Sequence, residues 1–547
     1  MDAEDLLHSL PRFNRVQFLI VIYEIFFALR GPWQVFGIAF IADAPDQFGC
    51  QLSQDQSPSI FNSSECEITN TVSGESQTCS EWDYQFYRTN ESIINEWNLV
   101  CDKSYYVWLD QTLYMAGQMA GALFLSNVSD WHGRKPTILV GAIILLGLSV
   151  ALMLSVDPIM FISIRVAMGV ANQVVITASY VLMAEWFEIK WRTVATNSIM
   201  MSWVGGVIAM SGIAYLTPKW RQLVFFYNVI PGLISVVLAL FLTESLFYLV
   251  TNHKYAEIEK IMNKAHASVP ITKPRSTSTI ATMESVRRAS QYNKETIEKM
   301  SAESKGLVKK AVISILKSKK MLGITLILFW LSLSNNMNYY VATLETSSLS
   351  GDKYLNFALS GVVEFPFVAA ATFLSVFAPR SVLLFFLYLI SFVSYILFTI
   401  WPEDVFAFIG RGAISSVYIV QILYTTEMFP TAVRNAGLGF IQIAENLGPV
   451  CGPIIVKIIQ ETTDSTTLYI LFGVVGLVNA ILVSCLPETK GFNLPETVES
   501  IEKRPAFAAW RLIFMRNYSV DDSGASPAAE NKHLNKTDEE VLEITKL

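Results

Sequence analysis

Glu445 and Asn446 sit side by side in the stretch Gly439-Phe-Ile-Gln-Ile-Ala-Glu-Asn-Leu-Gly-Pro-Val-Cys-Gly-Pro453, a run otherwise fit for lipid. An ionisable side chain at membrane depth costs about 2.5–3.5 kcal/mol on insertion scales, so it turns toward protein or water. Five further apolar runs hold such groups: Glu24 with Arg30, then Asp110, Arg165, Glu364 and Arg411. A buried carboxylate asks for a cation, which is either an arginine of the chain or the charged group of a solute. Glu364 and Glu445 stand deepest in their runs, and both readings apply to them. Tyr180, Tyr339, Tyr340 and Tyr424 offer ring faces, and cation–π attraction there is worth roughly 0.5–2 kcal/mol. Gln442 lies one helical turn before Asn446. One helical step is about 100°, so Glu445 and Asn446 point differently on a regular helix. Gly448, Pro449, Gly452 and Pro453 follow closely, and an unwound or kinked segment there would re-aim either one. The chain shows no nucleophile–base pair, metal-ligand cluster or phosphate-binding glycine loop at usable spacing. An enzyme is therefore not expected, nor any cofactor or metal.

The elements that must hold these residues are membrane spans. Of 547 residues, 52% are hydrophobic and 16% charged, with a mean hydropathy of +0.40. Windows of about 20 apolar residues, enough to cross the hydrocarbon core, occur at twelve places. They are 16–41, 104–126, 137–156, 158–184, 193–217, 223–243, 321–344, 354–378, 381–401, 405–426, 435–456 and 468–486. The polar stretch Met1–Asn14 and the long run after it do not resemble a cleavable signal peptide. Between Asp43 and Ser104 there are eleven Asp/Glu and two Lys/Arg; between Asn252 and Lys320 there are six and fifteen. The positive-inside bias puts the second segment in the cytoplasm and the first outside. The expected layout is a cytoplasmic N-terminus (1–15), a six-helix bundle (16–243) with an outer loop (43–104), and a cytoplasmic linker (244–320). A second bundle (321–486) and a cytoplasmic tail (487–547) complete it. The formal net charge of −7 hides this asymmetry and points to no nucleic acid.

Four of the six cysteines, Cys50, Cys66, Cys79 and Cys101, fall in the outer loop, where oxidation is permitted. Three connectivities are open to them. The same loop holds glycosylation sequons at Asn62 and Asn90; those at Asn127, Asn517 and Asn535 fall on the inner side and are expected to stay unused. Cys451 and Cys485 read as buried apolar filler.

The two halves repeat. Glu185-x6-Arg192 after span 4 returns as Glu427-x6-Arg434 after span 10, displaced by 242 residues. Phe241-Leu-Thr-Glu-Ser at the exit of span 6 returns as Cys485-Leu-Pro-Glu-Thr at the exit of span 12, displaced by 244. Arg165 and Arg411 fit less closely at 246. Every third span (3, 6, 9, 12) is free of charge and suited to face lipid. The others can surround a polar route, as in a transporter, and span 7 brings Asn335, Asn336 and Asn338 to it. Arg165, Arg411, Glu185, Arg192, Glu427 and Arg434 read as a charge-paired latch at cytoplasmic helix ends, and Asp110 as a group near an outer end.

Several stretches carry a family likeness. Asp130-Trp-His-Gly-Arg-Lys135, between spans 2 and 3, resembles the cytoplasmic-loop signature of the major facilitator superfamily, although Ser126 and Trp131 depart from it. Its second-half copy is reduced to Ala378-Pro-Arg-Ser381. Cys79-Ser-Glu-Trp-Asp-Tyr84, Ser360-Gly-Val-Val-Glu-Phe-Pro366, Glu427-Met-Phe-Pro-Thr-Ala-Val-Arg-Asn435 and Leu486-Pro-Glu-Thr-Lys-Gly-Phe-Asn-Leu-Pro-Glu-Thr497 resemble the organic ion transporters of that superfamily, in order and with matching spacing. The exit Thr243-Glu-Ser-Leu-Phe247 is degenerate.

The resemblance implies an all-α carrier of twelve transmembrane helices in two pseudo-symmetric bundles, working by alternating access on organic cations, zwitterions such as carnitine, or organic anions. It implies gating roles for Asp130, Arg134 and Lys135. Asn446 matches a position that is acidic in cation carriers and often arginine in anion and carnitine carriers; Glu364 matches the glutamate of cation and zwitterion carriers; Tyr180 matches a substrate-lining aromatic. The reading is a potential-driven carrier of small cations or zwitterions in the plasma membrane. Alternatives are an organic anion exchanger using Arg30 and a non-transporting receptor or scaffold that keeps the fold. In the linker, Arg287-Arg-Ala-Ser290 is a kinase motif whose phosphate would sit among basic residues. The ending Thr545-Lys-Leu547 fits a PDZ groove.

Overall fold

A computed structural model describes residues 14–490, apart from 46, 52–60, 64–65, 71–75, 80, 86–90, 126–127, 188, 253, 267–317, 431–433 and 463–464, together with Pro495 and Ile501. Asn90, Ser290 and the Thr545-Lys-Leu547 ending lie outside the described residues, as do the side chains of Asn62 and Arg192.

Each of the twelve apolar runs forms a helix. They are α1 (Arg15–Phe36, prolonged by Ile38–Ile41), α2 (Tyr105–Ala120), α3 (Arg134–Met153), α4 (Pro158–Trp186) and α5 (Ile189–Leu216). α6 (Trp220–Phe241) completes the first half. The second half is α7 (Lys319–Leu344), α8 (Lys353–Phe377), α9 (Arg380–Ile400), α10 (Asp404–Met428), α11 (Arg434–Thr462) and α12 (Ser465–Ser484). Side chains that accept orphan N–H groups set several starts. The Asn14 amide oxygen caps α1 at 3.0 Å from the Val16 and Gln17 nitrogens, and Asp157, Ser318 and Asp352 cap α4, α7 and α8. Ten described helices are by themselves long and apolar enough to cross a membrane. The two others have visible causes. α2 passes into a π-turn at Gly121–Leu125 after 16 residues, and the asparagines of α7 dilute its apolar character.

Large apolar side chains stand exposed in stripes on α3 (Val140, Ile143, Ile144), α6 (Leu233, Val237, Leu240), α9 (Phe386, Ile390, Val393) and α12 (Ile470, Val474, Val478). Their spacing by three and four puts each set on one helix face. These helices carry the charge-free spans 3, 6, 9 and 12, and lipid is the partner such stripes suit. α8 also turns Leu355, Leu359 and Val362 outward, so a wet helix keeps a lipid-facing side. α11 runs unbroken through Pro449 and Pro453, so of the two ways of re-aiming Glu445 and Asn446, an unwound segment does not occur.

The loop between α1 and α2 forms two small antiparallel sheets. One pairs β1 (Gln47–Cys50) with β5 (Trp82–Gln85); the other orders β2 (Phe61–Ser63), β3 (Glu67–Asn70) and β4 (Ser76–Thr78). Of the three connectivities, the structure has Cys50–Cys79 and Cys66–Cys101. A short helix, Ile93–Trp97, docks this loop on the head of α6. The Trp220 indole donates to Glu96 at 2.7 Å, and Arg221 pairs with the same carboxylate. Burial raises the Glu96 carboxyl, but these donors outweigh it and hold it below its ordinary value. Cys451 is half-buried and Cys485 exposed, which corrects the expectation that both are buried filler.

On the face bearing this loop, the two halves touch. Phe40, beyond α1, packs on Tyr354 and Phe357 of α8 at 5.4 and 4.9 Å between ring centroids. The Ser211 hydroxyl of α5 donates to the Tyr354 carbonyl, and Lys353 pairs with Asp43.

Candidate functional site

α7 brings Tyr339 and Tyr340 to the seam between the halves. The Trp203 indole of α5 donates to the Tyr339 hydroxyl at 2.9 Å, and that hydroxyl donates to Glu364 of α8 at 3.2 Å. Phe36 of α1 packs against both tyrosines, with centroids 6.2 and 5.3 Å away. Glu364 is not a free carboxylate. Its Oε2 lies 2.8 Å from an Arg411 nitrogen, with side chains 0% and 2% exposed. Ser415 donates to its other oxygen, and Arg411 Nε donates to the Thr343 hydroxyl at 2.9 Å. The Arg411 guanidinium also stands 5.3 Å from the Tyr339 ring centroid.

Arg165 repeats this relation in the first half. Its Nε lies 3.2 Å from Asp110 Oδ2, another nitrogen donates to the Gln34 carbonyl at 2.6 Å, and its guanidinium sits 4.2 Å from the Tyr114 ring centroid. Each pair joins one helix to the neighbour two before it, α4 to α2 and α10 to α8. Assigning Arg165 and Arg411 to the cytoplasmic latch is therefore wrong. α4 and α10 begin on the loop face, so residues two turns into them lie at the end opposite Glu185 and Glu427.

Glu445 is half-buried and makes no hydrogen bond or ion pair among the described residues. Tyr340 and Tyr418 lie within electrostatic range of it. Tyr418 is likewise in range of Tyr180, which is 40% exposed. The group draws on α4, α7, α10 and α11. Tyr418 is absent from the sequence expectation, yet it stands seven residues after Arg411, two turns along the same face. Tyr424, named in its place, is rotated about 240° from Tyr418. It is buried, and its hydroxyl donates to the Pro487 carbonyl at 2.5 Å. That corrects its assignment to the substrate route; Tyr424 pegs the exit of α12. The Asn446 amide donates to the Gln442 carbonyl of its own helix at 2.8 Å. Asn446 and Gln442 line a cleft with Met119, Ala122 and Leu123, at the α2 side of α11. Glu445 and Asn446 thus serve different surfaces.

At the opposite end of the bundle each half has an anchored arginine. The Arg134 backbone N–H donates to Glu244 at 2.8 Å, while its guanidinium lies 3.0 Å from Glu185 and 2.9 Å from Asp130. Lys135 donates to the Leu240 carbonyl at 3.3 Å. In the second half the Arg380 N–H donates to Glu488 at 2.9 Å, and its guanidinium lies 3.4 Å from Glu427. The three pairs of counterparts are displaced by 246, 244 and 242 residues. Glu185 and Glu427 therefore take their cations from Arg134 and Arg380. Arg434 donates to the Phe429 carbonyl at 3.3 Å. Arg380, Glu244 and Glu488 were missed as latch residues because the second signature is so reduced, although both glutamates mark the repeated helix exits.

Two six-helix halves, closed on each other at one face and with charged groups held along the seam, define a membrane carrier of the major facilitator fold. The inward-open xylose transporter XylE from E. coli superposes with a TM-score of 0.58 at 13% identity, covering 89% of this chain and 98% of that one. Its partially occluded inward-open form gives 0.59 at 15%, covering 88% and 100%. The profile of the sugar (and other) transporter family matches residues 59–500, and the chain belongs to that family. Its members are transporters, not enzymes. The organic ion transporter likeness holds in its relatives. The organic cation transporter protein of Drosophila melanogaster is 28% identical over 79% of each chain. The human organic cation/carnitine transporter 2 is 28% identical over 78% of this chain and 75% of that one.

Proposed function

We propose that this chain carries small organic cations or zwitterions (amines, quaternary ammonium and carnitine-like solutes) across the plasma membrane by alternating access. The observation that carries the reading is Glu445, a carboxylate at the seam without a cationic partner among the described residues and with Tyr340 and Tyr418 in range. Glu364 already has Arg411, so its part is to couple α8 to α10 beside the route rather than to trap the solute alone. The loop face is the outer one in this reading, with both termini cytoplasmic, Asn62 and Asn90 glycosylated, and the Arg134 and Arg380 clusters forming the inner latch. The disulfides and the names of the relatives support it. A monovalent cation gains about 2.3 kcal/mol per 100 mV of inside-negative potential, enough to drive uptake without a coupling ion.

Uptake and current in oocytes test this with tetraethylammonium, carnitine, a biogenic amine and an aromatic carboxylate. Tetraethylammonium is expected to evoke an inward current that Glu445→Gln lowers about tenfold or more, the scale of one lost contact to a charge. Accumulation of the aromatic carboxylate with the cations inert would overturn the reading in favour of anion exchange. Binding without accumulation of any of the four would favour a scaffold.

A further inference from the structure

Arg30 is a buried arginine with no carboxylate at ion-pair distance among the described residues. It is 1% exposed and makes no hydrogen bond or ion pair among the described residues; its Nε and one terminal nitrogen are fully enclosed. One turn along α1, Gln34 is also 1% exposed, and neither atom of its amide has a partner. Phe27 covers one side of the guanidinium, with its ring centroid 4.3 Å from Arg30 Cζ. Tyr114 of α2 lies within electrostatic range of both Arg30 and Arg165. The nearby carboxylate, Asp110, is taken by Arg165. Glu24 is six residues back on α1, about 9 Å along the axis. Of the two guanidinium groups around Tyr114, that of Arg30 has no carboxylate at ion-pair distance among the described residues. An uncompensated buried charge is among the costliest features a fold can hold. A guanidinium fork with unpaired N–H donors beside an unpaired amide N–H matches a small anion.

We propose that Arg30 and Gln34 form a binding site for one monovalent anion inside the first half of the carrier. The anion is a halide such as chloride, or the carboxylate of a carried zwitterion; the second source rests on the carrier reading, the first does not.

Purified full-length protein in lipid nanodiscs separates the sources. Melting is followed while chloride replaces a bulky organic sulfonate at fixed ionic strength. Without chloride, the affinities of choline and its carboxylate-bearing counterpart trimethylglycine are then compared. A halide site predicts a wild-type midpoint that climbs with chloride concentration and stays flat in Arg30→Gln. A carboxylate site predicts trimethylglycine binding tighter than choline by about tenfold, a preference that Arg30→Gln abolishes. A wild type that shows neither chloride dependence nor the carboxylate preference overturns the proposal. So does an Arg30→Gln protein that keeps whichever the wild type shows. If Arg30→Gln does not fold, Gln34→Leu serves in its place and is expected to weaken the same response. The chloride titration reads binding without transport, so its failure is distinct from failure of the carrier reading.

Discussion

A carboxylate that already holds an arginine makes a weak trap for a second cation. Glu364 and Arg411 neutralise each other in a site with almost no exposure, whereas Glu445 has no ion pair among the described residues and only Tyr340 and Tyr418 within electrostatic range. The two glutamates, alike in the sequence, therefore differ in chemistry. Removing one member of a buried pair strands the other charge, at a cost of about 3–5 kcal/mol, while replacing both with apolar residues costs far less. Glu364→Gln and Arg411→Met are each expected to lower the melting temperature in detergent strongly. The double variant should melt above either single. Strictly additive losses would mean that the pair does not act as a unit.

At the scale of helices, packing of α11 on α7 sets where Glu445 stands. A Cβ added at Gly448 would lie 2.4 Å from the Leu333 carbonyl oxygen and 2.9 Å from the Met337 nitrogen, both backbone atoms of α7. Gly448→Ala must push the helices apart, a strain of about 1–3 kcal/mol, and carry Glu445 with it. Gly439→Ala on the same helix meets nothing within 4 Å. The first variant is expected to melt lower and to weaken binding of tetraethylammonium, the second to do neither; equal behaviour would show that this approach is slack. The helices themselves were legible because a bilayer demands some 20 apolar residues in a row, a signal local in sequence. The faces were not. Whether Tyr418 or Tyr424 looks into the route depends on a rotation of α10 that apolar content does not set. Arg411 finds Glu364 across 47 residues of chain, and Arg380 works from a signature so worn that its partners Glu427 and Glu488 do not follow from it. Side-chain partners across helices are products of packing, and one sequence holds no direct record of them.

For the whole molecule, the polar latches described here lie at opposite ends of the bundle and act on different surfaces. On the loop face Lys353 and Asp43 bridge the halves, beside the Phe40 and Tyr354 rings. On the other face Arg134 and Arg380 tie helix ends within each half. A carrier in which the halves rock must break the first set to open toward the loop. The second set must hold rigid for each half to move as a body. Lys353→Ala removes a link that exists only when the loop face is shut, so it shifts the population toward the loop-open state. Arg134→Ala with Arg380→Ala loosens the halves without favouring that state. Spin labels at the exposed residues Leu216 and Leu355, one in each half near the loop face, report the difference by distance measurement in nanodiscs. Lys353→Ala is expected to lengthen the label distance, while the double arginine variant broadens the distribution without moving its centre outward. An unchanged distance in Lys353→Ala would leave the Phe40–Tyr354–Phe357 packing as the closure of that face.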